Sequence, residues 1–283
     1  MKVGLLLEGG AMRGLYTVGA LDVMMKNNFK FDGIMGVSAG ALFGLNYKSK
    51  QPGRALRYNL KYARNKNYMG WYSFITTGNV MNKKFCFDTL INELDPIDYN
   101  TFNNSSEEFW AVVTNMYTGR PEYIKIDDLK NKEQVEVLRA SGSMPFVSKP
   151  VEISGKKYLD GGISDSIPIE KMMAMGFDKI IVVLTRTAGY RKERSNEKLV
   201  NLVYRKYPNL AKTINNRYAE YNRELELVEQ LEKNKKIFVI RPSRKVEIKR
   251  IEKDCKRIQE MYDLGVKDMQ TYIIDALNFL AIP

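Results

Sequence analysis

A serine with a glycine two residues before it and another two residues after it is the first candidate for chemistry in this chain. Gly36-Val37-Ser38-Ala39-Gly40 has the G-x-S-x-G spacing and lies between an apolar run and a helix-like segment, as a nucleophile elbow requires. The sharp turn strains the serine and crowds its neighbours, and the glycines relieve that crowding. The spacing is also typical of a tight turn with a helix-capping serine. Ser38 is therefore a candidate nucleophile that needs support from elsewhere in the chain.

A glycine-rich loop, Gly9-Gly10-Ala11-Met12-Arg13-Gly14, follows the first apolar run and precedes a helix-like segment. Backbone amides fixed in such a loop can stabilise the negative charge that acyl transfer builds on a carbonyl oxygen. A loop that cradles a phosphate is the rival interpretation. However, the lysine of a Walker A motif is missing after Gly14, and Asp32 precedes the second apolar run, where it could not reach a ribose. We therefore favour an oxyanion hole.

The 283 residues include no histidine, which excludes a histidine-based triad and histidine-ligated zinc. A serine nucleophile then needs another base. Asp160-Gly161-Gly162 is the best candidate, because Asp160 ends a short strand-like run and the two glycines leave room for a substrate. A carboxylate becomes an adequate base only when it is partly desolvated and held against the hydroxyl. An ordinary Asp-Gly surface turn is the alternative.

These residues need a scaffold, and the first half of the chain alternates strand-like with helix-like segments. The apolar runs at 2–7 and 33–37 are followed by segments with helical spacing at 15–27 and 39–47. This βαβα order predicts a mainly parallel sheet with helices on both faces, a three-layer α/β/α fold. The candidate serine and aspartate would then project from the same edge of the sheet.

Taken together, these motifs resemble those of the patatin-like phospholipase family. The matching segments, in the family's order, are Glu8-Gly9-Gly10-Ala11-Met12-Arg13-Gly14, Gly36-Val37-Ser38-Ala39-Gly40, Ala140-Ser141-Gly142-Ser143-Met144-Pro145-Phe146 and Asp160-Gly161-Gly162. Members of that family are lipid acyl hydrolases with an α/β/α fold, and they use a Ser-Asp dyad without histidine. The resemblance therefore implies a serine lipid acyl hydrolase that cleaves carboxylic esters of phospholipids or related lipids.

The resemblance also implies a role for each matched residue. Ser38 is the nucleophile and Asp160 its base, in a two-step acyl transfer that needs no metal or organic cofactor. The amides of Gly9, Gly10 and Ala11 form the oxyanion hole. The residues that support these motifs are Met12, Arg13, Gly14, Gly36, Ala39, Gly40, Gly161 and Gly162, with Arg13 at the family's basic position. Ala11 stands where many relatives have a third glycine, and Gly162 where others have alanine; both changes keep the backbone N–H.

The chain changes character after Thr187. We expect residues 1–187 to form the catalytic core, and residues 188–283 to form a mostly helical extension with one strand, packed on that core. The apolar positions from Ile248 to Phe279 recur in steps of three and four, which predicts a long terminal helix with one buried face.

The net charge of +12 favours anionic partners, either nucleic acid or the acidic headgroups of a bilayer. None of the usual modules that read RNA or DNA occurs, so we expect a lipid or ester substrate and no nucleic acid.

Four basic residues fall on one face of the predicted terminal helix: Lys249, Lys253, Lys256 and Arg257. They could contact an anionic membrane surface, although such a run is also typical of a solvated face. A catalytically inactive relative that binds anionic lipid surfaces is the alternative function.

The segment from Tyr68 to Phe87 is dense in large apolar side chains and could form a lid or one wall of an acyl channel. Ordinary core packing is the alternative, and Met144, Pro145 and Phe146 are expected beside the same pocket.

The first apolar run stops at Glu8, too early for a signal peptide, and no run approaches the roughly 18 residues of a membrane-spanning helix. We therefore expect a cytoplasmic protein with peripheral membrane contact.

Overall fold

Eight strands form one central sheet in the computed structural model, which describes residues 1–281. The strands are β1 (Val3–Leu7), β2 (Gly33–Val37), β3 (Glu108–Asn115), β4 (Pro121–Lys125), β5 (Val151–Ile153), β6 (Lys156–Asp160), β7 (Lys179–Val183) and β8 (Ile237–Ile240). Their order is β5-β6-β3-β2-β1-β7-β8, and β4 also pairs with β3. The pairs among β3, β2, β1, β7 and β8 are parallel, whereas the pairs that involve β4, β5 and β6 are antiparallel.

Helices cover both faces of this sheet, which confirms the predicted α/β/α class. They are α1 (Leu15–Lys26), α2 (Ala39–Lys48), α3 (Arg54–Tyr62), α4 (Trp71–Thr77), α5 (Tyr99–Asn104), α6 (Lys132–Ser141), α7 (Ile169–Ala174), α8 (Glu197–Val203), α9 (Pro208–Lys233) and α10 (Cys255–Ala281). A π-helical segment, Phe85–Leu94, lies between α4 and α5. Among the helices of the described residues, none combines the length and apolar character that crossing a membrane takes.

The side chains of β1 show how the layers form. Leu5 and Leu7 are fully buried in the core that contains side chains of α1, α2 and α10, whereas Leu6 is buried in the core formed with α7 and α9. Successive side chains of a strand point to opposite faces, so a strand covered on both sides must be apolar throughout. The uninterrupted apolar run at the start of the chain is therefore a central strand.

The register of β3 explains why two distant segments meet. Val113 pairs with Glu122 of β4 on one edge, so its pairing with Asp160 of β6 must use the other edge. That other edge carries β2 as far as the pair between Val37 and Val112. β6 therefore continues along β3 from the point where β2 ends, and Asp160 comes beside the residue that follows Val37.

The C-terminal part of the chain extends the sheet and covers α1. β8 pairs in parallel with β7, and α10 lies directly on α1. A Cβ atom on Gly19 would come within 2.2 Å of the Tyr262 carbonyl oxygen, and one on Gly265 within 2.0 Å of the Tyr16 carbonyl oxygen. The two helices therefore approach each other as closely as glycine allows. The division of the chain at residue 187 stays a prediction.

The terminal helix begins later than the sequence predicts. The apolar spacing predicts a helix from Ile248, but α10 begins at Cys255. The Glu252 carboxylate accepts hydrogen bonds from the backbone amides of Lys249 and Lys253, at 3.2 and 2.9 Å, and from the amide of residue 254. Such local side-chain acceptors compete with helix formation. Lys249 and Lys253 lie outside α10, so the predicted basic stripe along one helix face is wrong.

Candidate active site

Ser38 occupies a strained turn between β2 and α2. Its φ of 54° and ψ of −123° are backbone angles that residues other than glycine rarely adopt. A Cβ atom on Gly36 would come within 2.5 Å of the Ala41 backbone nitrogen, and one on Gly40 within 2.3 Å of the Leu7 carbonyl oxygen. Both flanking glycines therefore stand where only a hydrogen atom fits, and the turn carries the serine hydroxyl out of the sheet.

The Ser38 hydroxyl donates a hydrogen bond of 2.7 Å to Oδ2 of Asp160. The second carboxylate oxygen, Oδ1, accepts a hydrogen bond of 2.8 Å from the Gly162 amide. The backbone of Asp160 is also held, because its amide donates to the Ser143 carbonyl oxygen and its carbonyl oxygen accepts from the Thr114 hydroxyl, at 2.9 and 2.8 Å. The structure thus brings the two predicted dyad residues together and fixes the orientation of the carboxylate.

Asp160 is only 5% exposed, and its burial raises the pKa of its carboxyl group above the ordinary value. The nearby Arg217 guanidinium and the hydrogen bonds from Ser38 and Gly162 act in the opposite direction and favour the carboxylate. Desolvation strengthens a carboxylate as a base, and the hydrogen bond puts it within reach of the proton it would accept. A carboxylate in this position could accept the serine proton as the oxygen attacks a carbonyl carbon, without an imidazole.

The glycine-rich loop lies directly against the serine. A Cβ atom on Gly9 would come within 2.8 Å of the Ser38 Cβ atom, and Ala11 adopts a left-handed φ of 49°. Within residues 1–281, the backbone amides of Gly9, Gly10 and Ala11 donate no hydrogen bond. Free amides beside a nucleophile can bind an oxyanion. Arg13 follows in the same loop, and Met12 and Gly14 are buried beneath it.

The segment at the end of α6, which carries the third match to the family, contacts both members of the pair. The Ser141 hydroxyl oxygen accepts a hydrogen bond of 2.9 Å from the Ser38 amide, and Ser143 accepts from the Asp160 amide. Ser141 is fully buried. Sequence reasoning assigned no role to either serine, whereas the structure shows that they hold the backbones of Ser38 and Asp160.

Glu8 connects the loop to α9, a contact that the sequence did not predict. Its buried carboxylate accepts hydrogen bonds from the amide and hydroxyl of Thr185, at 2.5 and 3.0 Å, and from the Tyr221 hydroxyl at 2.6 Å. Burial and the neighbouring carboxylate raise the pKa of Tyr221, so this phenol remains a donor. The network ties the start of the loop to the residues beyond Thr187.

Ser38 lies where two cavities of different character meet. The larger, about 770 Å³, contains Ser38, Asp160, the glycine-rich loop and several arginines, and we call it the cationic cavity. The smaller, about 70 Å³, is the apolar cavity. Its large apolar side chains belong to Met12, Leu42, Phe43, Tyr58, Tyr68, Met69, Val80, Met81, Met144 and Ile251.

The predicted lid segment is divided between this cavity and the surface. Tyr68, Val80 and Met81 line the apolar cavity, whereas Trp71 and Ile75 of α4 are exposed. Met144, Pro145 and Phe146 were expected in the same pocket as this segment. That holds for Met144, which lines both cavities, whereas Pro145 and Phe146 line only the cationic cavity.

Seven basic side chains line the cationic cavity, and only Arg13 was singled out from the sequence: Arg13, Arg186, Arg191, Lys192, Arg194, Arg217 and Arg250. Arg217 lies on α9 at helical spacing from Ile214 and Tyr221, which are both buried. A charged residue on the buried face of an amphipathic helix is the signal that could have identified it.

Two family models match the chain. The model described as Patatin-like phospholipase matches residues 5–173, which include Ser38 and Asp160. The model described as Domain of unknown function (DUF6363) matches residues 207–281, which contain α9, β8 and α10.

Several known proteins are similar to this chain. A protein of Escherichia coli K12, Uncharacterized protein YjjU, is 30% identical over 190 residues, which are 65% of this chain and 52% of that protein. Lysophospholipase nte1 of Aspergillus oryzae is 28% identical over 192 residues, 64% of this chain and 12% of that protein. This chain thus spans about half the length of the bacterial relative and about an eighth of the fungal one. The solved structure of VipD from Legionella pneumophila has a TM-score of 0.42 at 13% identity, over 95% of this chain and 67% of that chain.

Proposed function

Because the chain belongs to the patatin-like phospholipase family, we propose that it is a serine hydrolase that cleaves carboxylic ester bonds of phospholipids or related lipids. The observation that carries the proposal is the 2.7 Å hydrogen bond from Ser38 to Asp160 at a strained strand-to-helix turn. The name of the fungal relative, a lysophospholipase, supports a lipid ester as the substrate.

In the first step, the Ser38 oxygen attacks the ester carbonyl carbon while its proton passes to Oδ2 of Asp160. The carbonyl oxygen becomes an oxyanion, which the amides of Gly9, Gly10 and Ala11 stabilise. The intermediate then collapses, the bond to the alcohol breaks, and Asp160 returns the proton to the departing alkoxide. The acyl group is left as an ester on Ser38.

In the second step, water replaces the alcohol. Asp160 takes a proton from water as its oxygen attacks the acyl-serine, and the same amides hold the second oxyanion. Collapse breaks the bond to Ser38, which recovers its proton from Asp160, and the fatty acid leaves. The chain's own residues supply every proton transfer.

Replacement of either dyad residue tests this proposal. Ser38→Ala and Asp160→Asn should each lower kcat/KM for p-nitrophenyl butyrate and for a phospholipid by roughly 10³-fold or more, because the members of such a unit act together. Ser154→Ala and Asp275→Asn replace exposed residues of the same types and should retain wild-type rates. Substantial turnover by Ser38→Ala would remove the assignment. A wild type that binds anionic liposomes without hydrolysing any ester would favour the inactive lipid-binding alternative.

We also propose that the protein contacts anionic membrane surfaces through α4. Trp71 and Ile75 are 67% and 81% exposed, and Lys66 and Lys253 lie at the same end of the helix, with Lys66 Nζ 4.9 Å from the Tyr72 ring. Exposed apolar side chains next to lysines suit the interface of an acidic bilayer.

Co-sedimentation with phosphatidylcholine vesicles, with and without phosphatidylglycerol, checks this contact. Binding should require the anionic lipid, weaken as salt rises, and fall in Ile75→Ala. Ile274→Ala replaces a similarly exposed isoleucine of α10 and should bind as the wild type does. Equal binding by both variants would contradict the role of α4.

A further inference from the structure

The cationic cavity contains more basic side chains than form ion pairs with carboxylates. Within residues 1–281, none of Arg13, Arg186, Lys192, Arg217 and Arg250 forms an ion pair with a carboxylate. Two further arginines at the cavity differ in this respect. Arg191 pairs with Glu229 at 2.9 Å, and Arg194 pairs with Glu197 at 3.4 Å. Five of the seven basic side chains of the cavity are therefore left without an ion pair in the described part of the chain.

Two of these side chains also leave buried donors unused. The Nε atoms of Arg13 and Arg217 are buried and find no hydrogen-bond partner within the described chain. Buried polar groups are normally hydrogen-bonded, and a buried guanidinium without acceptors is especially unfavourable. The fold nevertheless holds both arginines in place, one in the glycine-rich loop and one on α9. Oxygen atoms of a bound anion would satisfy them.

The buried carboxylates of the cavity accept their hydrogen bonds from groups other than its basic side chains. Glu8 accepts from Thr185 and Tyr221, and Asp160 accepts from Ser38 and Gly162. Glu193 lies exposed at the rim. Positive charge is thus left in excess around the position where a substrate would lie.

Mutual repulsion among the basic side chains adds to burial in lowering the pKa of two of them. Burial, together with the charges of Arg217, Arg250 and Arg13, lowers the pKa of Lys192 to about 7, and the charge of Glu8 acts in the opposite direction. Burial and then Arg186 lower the pKa of Arg13 to about 10. An anion that entered the cavity would relieve this repulsion and raise both values.

We propose that the cationic cavity binds the phosphate group of a phosphate-bearing lipid, whose acyl ester lies at Ser38 and whose acyl chain enters the apolar cavity. The assignment of the ester rests on the proposed function, whereas the phosphate site rests on the cations alone. A phosphate monoester carries up to two negative charges and several acceptor oxygens, which match several guanidinium groups better than a single carboxylate would. The substrate class is therefore an anionic phospholipid with an accessible phosphate.

The place of the cations supports this geometry. Arg13 belongs to the loop proposed to hold the oxyanion, and Arg217 lies next to Gly162, since its Nη2 would be 3.2 Å from a Cβ atom there. Arg250 lines both cavities. A phosphate held by these residues therefore remains close to the Ser38 hydroxyl.

Calorimetric titration of Ser38→Ala separates binding from turnover. The probes are inorganic phosphate, glycerol 3-phosphate, a soluble short-chain lysophosphatidic acid and an uncharged short-chain monoacylglycerol. We expect the lysophosphatidic acid to bind at least about tenfold more tightly than either the uncharged lipid or inorganic phosphate. At pH 8 its binding should take up protons, seen as a dependence of the enthalpy on the buffer, because the phosphate raises the pKa of Lys192.

Matched variants in the same Ser38→Ala background identify the site. Arg217→Met and Lys192→Met should each weaken binding of the lysophosphatidic acid about tenfold or more, whereas Lys233→Met, an exposed cation of the same helix as Arg217, should leave it unchanged. Equal affinity in all variants would overturn the proposal. Inorganic phosphate that binds as tightly as the lipid would overturn the lipid assignment and indicate a site for free phosphate. Since no catalysis is measured, this result is independent of whether the wild type hydrolyses esters.

Discussion

The apolar cavity and the cationic cavity meet at Ser38, but different parts of the chain line them. The apolar cavity is built mainly from residues 11–81 and from the end of α6, whereas the cationic cavity takes much of its lining from residues 186–221. The motifs visible in the sequence therefore contain Ser38 and Asp160, and most of the apolar lining comes from the same part of the chain. Most of the basic side chains of the cationic cavity come from the segment after Thr187, in which the sequence shows no catalytic motif.

Narrowing the apolar cavity should change the hydrolysis of esters more than removing one positive charge from the cationic cavity does. Met81→Trp adds bulk to a cavity of about 70 Å³, so kcat/KM for octanoyl esters should fall at least about tenfold relative to acetyl esters. Met173→Trp enlarges an exposed methionine of α7 and should leave the chain-length profile unchanged. An unaltered profile in Met81→Trp would mean that the acyl chain lies elsewhere.

Removing the charge of Arg217 from the cationic cavity should have a smaller effect on the hydrolysis of a neutral ester, and the size of that effect should depend on pH. Asp160 must be ionised to accept a proton, so kcat/KM for the neutral ester p-nitrophenyl butyrate should fall tenfold per pH unit below the Asp160 pKa. Since burial raises that pKa, the fall begins at a higher pH than for an ordinary carboxyl group. Arg217 lowers the same pKa, so Arg217→Met should move the acid limb to still higher pH.

The pH profile also separates the two roles of Arg217. At pH values above the acid limb, Asp160 is ionised in both the wild type and Arg217→Met. The shift of the Asp160 pKa should therefore cost the variant little of its rate on the neutral ester there. Lys233→Met, at the end of the same helix, should show the wild-type profile. If the acid limb of the pH profile lies at the same pH in Arg217→Met as in the wild type, the Arg217 guanidinium does not act on the pKa of Asp160.

The parts of the fold that the sequence predicts are those fixed by local patterns. The continuous apolar runs of β1 and β2 can be recognised because both faces of these strands are covered. The glycines of the elbow can be recognised because a Cβ atom at Gly36 or Gly40 would collide with neighbouring backbone. These requirements act within a few residues, so a single sequence shows them.

The parts that the sequence does not predict depend on contacts between distant segments or on a single competing side chain. The meeting of Ser38 and Asp160 requires β6 to join β3 where β2 ends, and no local pattern encodes that register. Arg217 reaches the site only because of how α9 packs. The start of α10 was predicted too early because the Glu252 carboxylate captures backbone amides that a helix would need.

Covalent trapping of the nucleophile tests the central claim most directly. Wild-type protein treated with a fluorophosphonate should gain one adduct per chain, and peptide mass spectrometry should place that adduct on Ser38. Asp160→Asn should react far more slowly, because the hydroxyl then lacks its base, while Asp275→Asn should react at the wild-type rate. An adduct on another residue, or an unchanged labelling rate in Asp160→Asn, would contradict the Ser38–Asp160 mechanism.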